Sequence, residues 1–66
     1  MTPKYPEVEV QLTNQDGNAF VIIGRVSGAL RENKVPDEEI IRFQTEASSG
    51  DYDNVLRTCM KWVEIS

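Results

Sequence analysis

The sequence predicts a small α+β domain of order β-α-α-α-β, with three helices on a short two-strand sheet. Three observations carry this. "EVEVQLT" near the start alternates apolar and polar residues. Three stretches follow in which apolar residues recur at helical spacing behind helix-start signals. "WVEI" at the end alternates again.

Taken in order, Val8, Val10 and Leu12 alternate with Glu7, Glu9, Gln11 and Thr13, the period of a strand with one buried and one wet face. Pro6 has no N–H for a ladder, so residues 1–5 are expected to form a loose tail. Asp16-Gly17 then supplies turn chemistry, and Asn18 is a favourable cap for a helix starting at Ala19. In that helix Ala19, Ile22, Ile23, Val26, Ala29 and Leu30 form one apolar stripe ending near Asn33, where Arg31 and Lys34 complement the dipole.

"KVPDEEIIRFQTEASSG" reads as a second helix, with Pro36 at its start, Asp37, Glu38 and Glu39 in its first turn and Gly50 beyond its end. With Pro36 as the cap, Val35 and Ile40 have the spacing of a hydrophobic staple, and Ile40, Phe43 and Ala47 face the core. A third helix opens at "GDYDN" under an Asp51 cap, with Tyr52, Val55, Leu56, Cys59, Met60 and Val63 in its stripe. Trp62 to Ile65 then leave as a second strand. Two strands alone are barely stable in water, so they are expected to pair with each other beneath the helices and to extend the sheet across a subunit boundary.

Size and charge narrow the function. A chain of 66 residues is one small domain that buries only about 60% of its unfolded surface, a marginal ratio that a disulfide, a metal or self-association usually supplements. Cys59 is the only cysteine and there is no histidine, which excludes an internal disulfide and disfavours a zinc site. No acidic loop has calcium-loop spacing. No metal and no cofactor are therefore expected, and a homo-oligomer is. The balance of 7 basic to 11 acidic residues, net charge −4, with the cations scattered, argues against binding a nucleic-acid backbone. No run reaches the ~20 apolar residues of a membrane span, the N-terminus lacks a signal-peptide core, and a lone thiol suits a reducing compartment. The expected location is the cytoplasm.

Catalytic signals are weak. Without histidine there is no imidazole base for a serine or cysteine nucleophile, and Cys59 lies on an apolar stripe as a small buried hydrophobe would. The pairs Asp51 and Asp53, and Glu38 and Glu39, sit at helix starts, where carboxylates act as caps and dipole partners. The expectation is a protein that is not an enzyme.

Binding signals are more specific. In "DGNAF", Gly17 lets a ligand approach the backbone, and the N–H groups of Asn18, Ala19 and Phe20 suit an anion, although no nucleotide-loop spacing is matched. Gly24 and Gly28 each cost their helix about 1 kcal/mol against alanine. They lie with Val21, away from the core stripe, as a smooth patch flanked by Arg25 and Arg31. That patch suits close packing within the chain, a contact between subunits, or the floor of a flat ligand site. Phe20 sits beside the main stripe, half exposed. Trp62 falls where core packing and stacking on a ligand are both open, and its N–H needs a partner.

The motifs "DGNAF", "SGDYD" and "M-x-W-V", within "VEVQLTNQDGNAF", "IGRV", "VPDEEI" and "SGDYDNVLRTCMKWVEI", resemble a family of short, uncharacterised proteins of bacteria and bacteriophages over nearly the whole chain. The resemblance implies a phage or mobile-element setting and transfers no catalytic residue. Similar sequences carry Gly-Val-Ser, a more ordinary helix cap, where this chain has "VP" before its acidic run.

Two functions are carried forward. One is a small homo-oligomeric binding protein that takes an anionic small molecule such as a signal nucleotide, with Gly17, Asn18, Phe20, Arg25, Arg31 and Trp62 at the ligand and Gly24 and Gly28 at the subunit contact. The other is an acidic module that binds a host or partner protein through Glu7, Glu9, Glu38 and Glu39, adding to the strand edge.

Overall fold

The computed structural model describes residues 2–12 and 18–66. The Asp16-Gly17 turn, and with it the site role given to Gly17, lies outside the described residues. The elements are β1 (Tyr5–Val10), α1 (Ala19–Glu32), α2 (Asp37–Ala47), α3 (Tyr52–Trp62) and β2 (Val63–Ile65). The small β-α-α-α-β architecture is as expected. The two strands are parallel neighbours, a pairing that requires a long crossover, and the three helices provide it.

One apolar core lies between helices and sheet. Val8 and Val10 of β1, Ile22, Val26 and Leu30 of α1, Ile40, Phe43 and Ala47 of α2, Val55, Cys59 and Trp62 of α3 and Val63 of β2 are all buried in it. The α3 stripe differs from expectation, since Tyr52 and Met60 are exposed while Thr58 and Trp62 are buried. Residues 55, 58, 59 and 62 follow the i, i+3, i+4, i+7 spacing of one face, and position 60 falls about 100° outside it.

The expected loose tail is corrected. β1 begins at Tyr5 and runs through Pro6, and the Lys4 N–H donates to the Lys61 carbonyl at 2.8 Å. The ladder shifts register between Tyr5 and Glu9. Pro6 falls inside that irregular stretch of an edge strand, where a missing donor is tolerated. Beyond β1 the Leu12 N–H donates to the Ser66 carbonyl.

Helix ends follow local chemistry. The Asn18 side chain accepts from the Phe20 N–H at 2.9 Å, and Asp51 accepts from the Asn54 N–H at 3.0 Å. Pro36 caps α2 without a side-chain bond, leaving three acidic residues to complement the dipole. Val35 and Ile40 are both buried, as a staple about a Pro36 cap requires. At the end of α1 the N–H groups of Lys34 and Val35 return to the carbonyls of Arg31 and Leu30. This stop places Lys34 at φ 64°, a left-handed conformation that favours glycine. After α2, the Asn54 amide donates to the Glu46 and Ala47 carbonyls, and a Cβ on Gly50 would stand 2.9 Å from the Asn54 Cβ.

Two substitutions test this account by thermal melting. Lys34→Gly is expected to stabilise the chain by about 1 kcal/mol through relief of left-handed strain. Gly50→Ala is expected to destabilise it by about 1–3 kcal/mol because Asn54 cannot withdraw without losing its bonds to α2. Destabilisation by Lys34→Gly, or stabilisation by Gly50→Ala, would contradict the end-stop geometry.

Candidate functional site

The outer face of α1 is where the structure gathers most of the expected site residues. Ile22, Val26, Ser27 and Leu30 turn inward, and the Ser27 hydroxyl accepts from the Gln44 side chain of α2 at 3.0 Å. That orientation leaves Phe20, Val21, Gly24, Gly28, Arg25, Arg31 and Glu32 on the opposite side, within about 140° of helix circumference. Phe20 is 81% exposed and Val21 40%, so Phe20 is far more open than half exposure. A Cβ added to Gly24 or Gly28 would meet nothing within 4 Å. Among the described residues nothing packs closely on these glycines, and the helix-propensity cost of the two is left without a return there.

Arg25 and Arg31 border this strip on opposite sides of Gly28, about 120° apart around the helix and about 9 Å apart along it. Arg25 reaches sideways to the Gln11 carbonyl beyond β1, at 3.4 Å. The two guanidinium groups of one chain thus diverge.

The start of α1 uses part of its donor set internally. Of the three donors expected there, on Asn18, Ala19 and Phe20, the Phe20 N–H is taken by the Asn18 side chain; the next two N–H groups along, of Val21 and Ile22, go to the Asn18 carbonyl.

Trp62 is corrected outright. It is 4% exposed at the junction of α3 and β2. Its ring stacks on Tyr5 at 6.0 Å and 25° and takes Phe43 edge-on at 5.7 Å. The Lys4 ammonium lies 4.4 Å from its centroid, and its N–H donates to Glu46 Oε1 at 2.9 Å. Those partners leave no ring face for a ligand.

Glu39 is likewise occupied. It pairs with Lys4 and Arg42 and accepts from the Tyr5 hydroxyl at 3.3 Å. The hydrogen bond from Lys4 holds its carboxyl below the usual carboxylate range. Glu39 therefore fastens the N-terminal segment and is withdrawn from the acidic surface assigned to it.

Reasoning from sequence missed a concave surface on α3. Arg57, Met60 and Lys61, with Thr2 of the N-terminal segment, line an open hollow of about 390 Å³. The helical spacing of these residues was legible, but the docking of Thr2 beside them depends on the Lys4 clamp.

The buried Cys59 thiol is pushed up to about 11 by desolvation, which leaves it protonated and weakly nucleophilic at neutral pH. Among the described residues, no three His, Cys, Asp or Glu side chains form a set that could hold a metal ion. Among the described residues no helix is long and apolar enough to cross a membrane.

Burial of Cys59 sets a pH dependence. A native pKa raised from about 9 to about 11 gives stability that is complete below about 9 and lost as pH rises through about 11. Burial, followed by the charge of Glu39, also raises Tyr5, adding in the same direction. The melting temperature is expected to fall across that window, less steeply in Cys59→Ala, and a thiol reagent at neutral pH should label Cys59 only on unfolding. An equal alkaline fall in Cys59→Ala, or prompt labelling of the folded chain, would contradict this.

Comparison with protein-family models, with curated proteins and with solved structures gives no match, so the functional reading rests on the geometry of these surfaces.

Proposed function

We propose that this protein is a non-enzymatic binding module that acts as a homo-oligomer joined through the outer face of α1 and takes an anionic small molecule at that junction. The observation that carries the reading is a single helix face on which the 81% exposed Phe20 lies beside two glycines with open space at their Cβ positions. A projecting ring and a recess on one face are self-complementary, which is what a two-fold contact demands. The missing side chains allow two backbones to approach closely, an arrangement that offsets the propensity cost of Gly24 and Gly28.

The arginines supply the ligand chemistry. In an antiparallel two-fold contact centred on Gly28, Arg25 of one copy comes level with Arg31 of the other, and an anion between them relieves the like-charge repulsion. A nucleotide signal is the class to screen first in the phage or mobile-element setting that the sequence resemblance implies, and a cytoplasmic location would keep Cys59 reduced. The sheet is the weaker route to assembly. β1 carries Pro6, a register shift and outward Glu7 and Glu9, all of which discourage edge pairing.

A second reading has its own support. Glu9 is in register with Glu64 across the parallel ladder, both are exposed, and Glu7 follows on the same face. Like charges placed directly opposite are unfavourable, and a basic partner protein would neutralise them.

Mass in solution tests the first reading. The wild-type chain should sediment as a multiple of 7.5 kDa and Phe20→Asp at the monomer mass. Gly28→Ala should weaken association while raising the melting temperature of the dilute monomer, because alanine favours the helix by about 1 kcal/mol. In a thermal-shift panel, an anion at a hundred times its dissociation constant should add about 2.7 kcal/mol, and Arg25→Ala or Arg31→Ala should remove that gain. A wild-type monomer at millimolar concentration would sink the assembly. Flat melts with anions, beside a shift given by a basic peptide, would favour the acidic module.

A further inference from the structure

The α3 hollow lies away from the α1 face and has a chemistry of its own. Arg57 and Lys61 are one helical turn apart, with side chains rooted about 6 Å from each other, and Met60, 62% exposed, lines the same hollow beside them. Their hollow has a volume of about 390 Å³, and a second of about 150 Å³ is lined by Pro3, Met60, Val63, Glu64 and Ile65. The two have Met60 in common, and the larger forms an open trough at the end of α3. Its opposite wall is Thr2, held there because the Lys4 N–H bonds the Lys61 carbonyl while the Lys4 ammonium is fastened to Glu39 over the Trp62 ring.

The larger hollow is positive in a chain of net charge −4. Its charged lining is Arg57 and Lys61, and among the described residues neither is engaged in an ion pair. On the neighbouring turn and strand the carboxylates are Asp53, one turn before Arg57, and Glu64, which lines the second hollow. The trough is thus basic and apolar, and Glu64 is not part of its lining.

We propose that this trough binds an extended acidic peptide segment of a partner protein, its carboxylates paired with Arg57 and Lys61 and an apolar side chain seated on Met60. Charge complementarity selects the acidic ligand. The shape selects a peptide, because small-molecule sites enclose most of their ligand while this trough is open to solvent and suits a chain laid across it. Methionine at such a surface adapts to varied apolar side chains. The site is complete within one chain, so it does not depend on assembly through α1.

The probe is a fluorescein-labelled octapeptide of alternating Glu and Leu, titrated by anisotropy. Wild-type protein should bind it saturably, less tightly as salt rises. The Arg57→Glu, Lys61→Glu double variant, whose changes are at exposed positions and whose folding is checked by its unchanged melting curve, should bind at least about tenfold more weakly. Met60→Ala should lose severalfold, a Lys-Leu octapeptide should not bind, and Phe20→Asp should bind like wild type. The proposal is overturned by no binding at about 1 mM, by undiminished binding to the double variant, by loss of binding in Phe20→Asp, or by equal competition from inorganic phosphate, which would mark a small-anion site instead.

Discussion

The fold depends on the burial of one ring. Trp62 is the last residue of α3, and from it the chain passes directly into β2. The ring meets Tyr5 from the opposite end of the chain and Phe43 from α2, and its N–H is satisfied by Glu46. It thereby joins the first strand, the second helix and the terminal strand at one point. Burying an indole removes a large apolar area from water, and here the gain exists only when both ends of the chain are in place. A 66-residue chain has few other ways to couple its termini, since the two strands share only a short and irregular ladder.

The same packing arranges the surface. With Trp62 inward, Lys4 is drawn over its ring and onto Glu39, and the N-terminal segment becomes a wall beside α3. The acidic first turn of α2, which complements its own helix dipole, thus also anchors a distant segment. Opposite this clamp, α1 turns its aliphatic stripe to the core and leaves Phe20, Val21 and the two glycines facing solvent. One small core thereby sets up two chemically different surfaces, an apolar one with a recess on α1 and a basic trough on α3. A domain this small has little interior in which to build an enclosed site, so binding at its surfaces and junctions suits its size.

Much of the fold was legible because it rests on local signals. The caps Asn18 and Asp51, the Pro36 start and the Val35–Ile40 staple depend on residues a few positions apart, and each stands where its spacing places it. The outward position of Gly24 and Gly28 also followed from helix geometry. The loose tail failed because Pro6 forbids a ladder bond only at its own nitrogen; whether Tyr5 docks depends on Trp62, fifty-seven positions away. The face of α3 was misjudged by one step, since Met60 and Trp62 both suit an apolar stripe and only the placement of α2 and β1 decides which enters it.

By itself, then, the sequence determined the element types, their order and their ends, because these follow from hydrogen bonds and periodicities within a turn or two of chain. It also excluded an internal disulfide and imidazole chemistry, which depend only on which residues are present. Tertiary structure alone decided that Trp62 is core rather than ligand platform, that Glu39 is a clamp rather than a free acid, and that Arg57, Lys61 and Thr2 share a trough. Each of those outcomes depends on which distant side chain occupies the neighbouring space, and packing, being long-range and nearly indifferent to sequence separation, is not written in any local pattern.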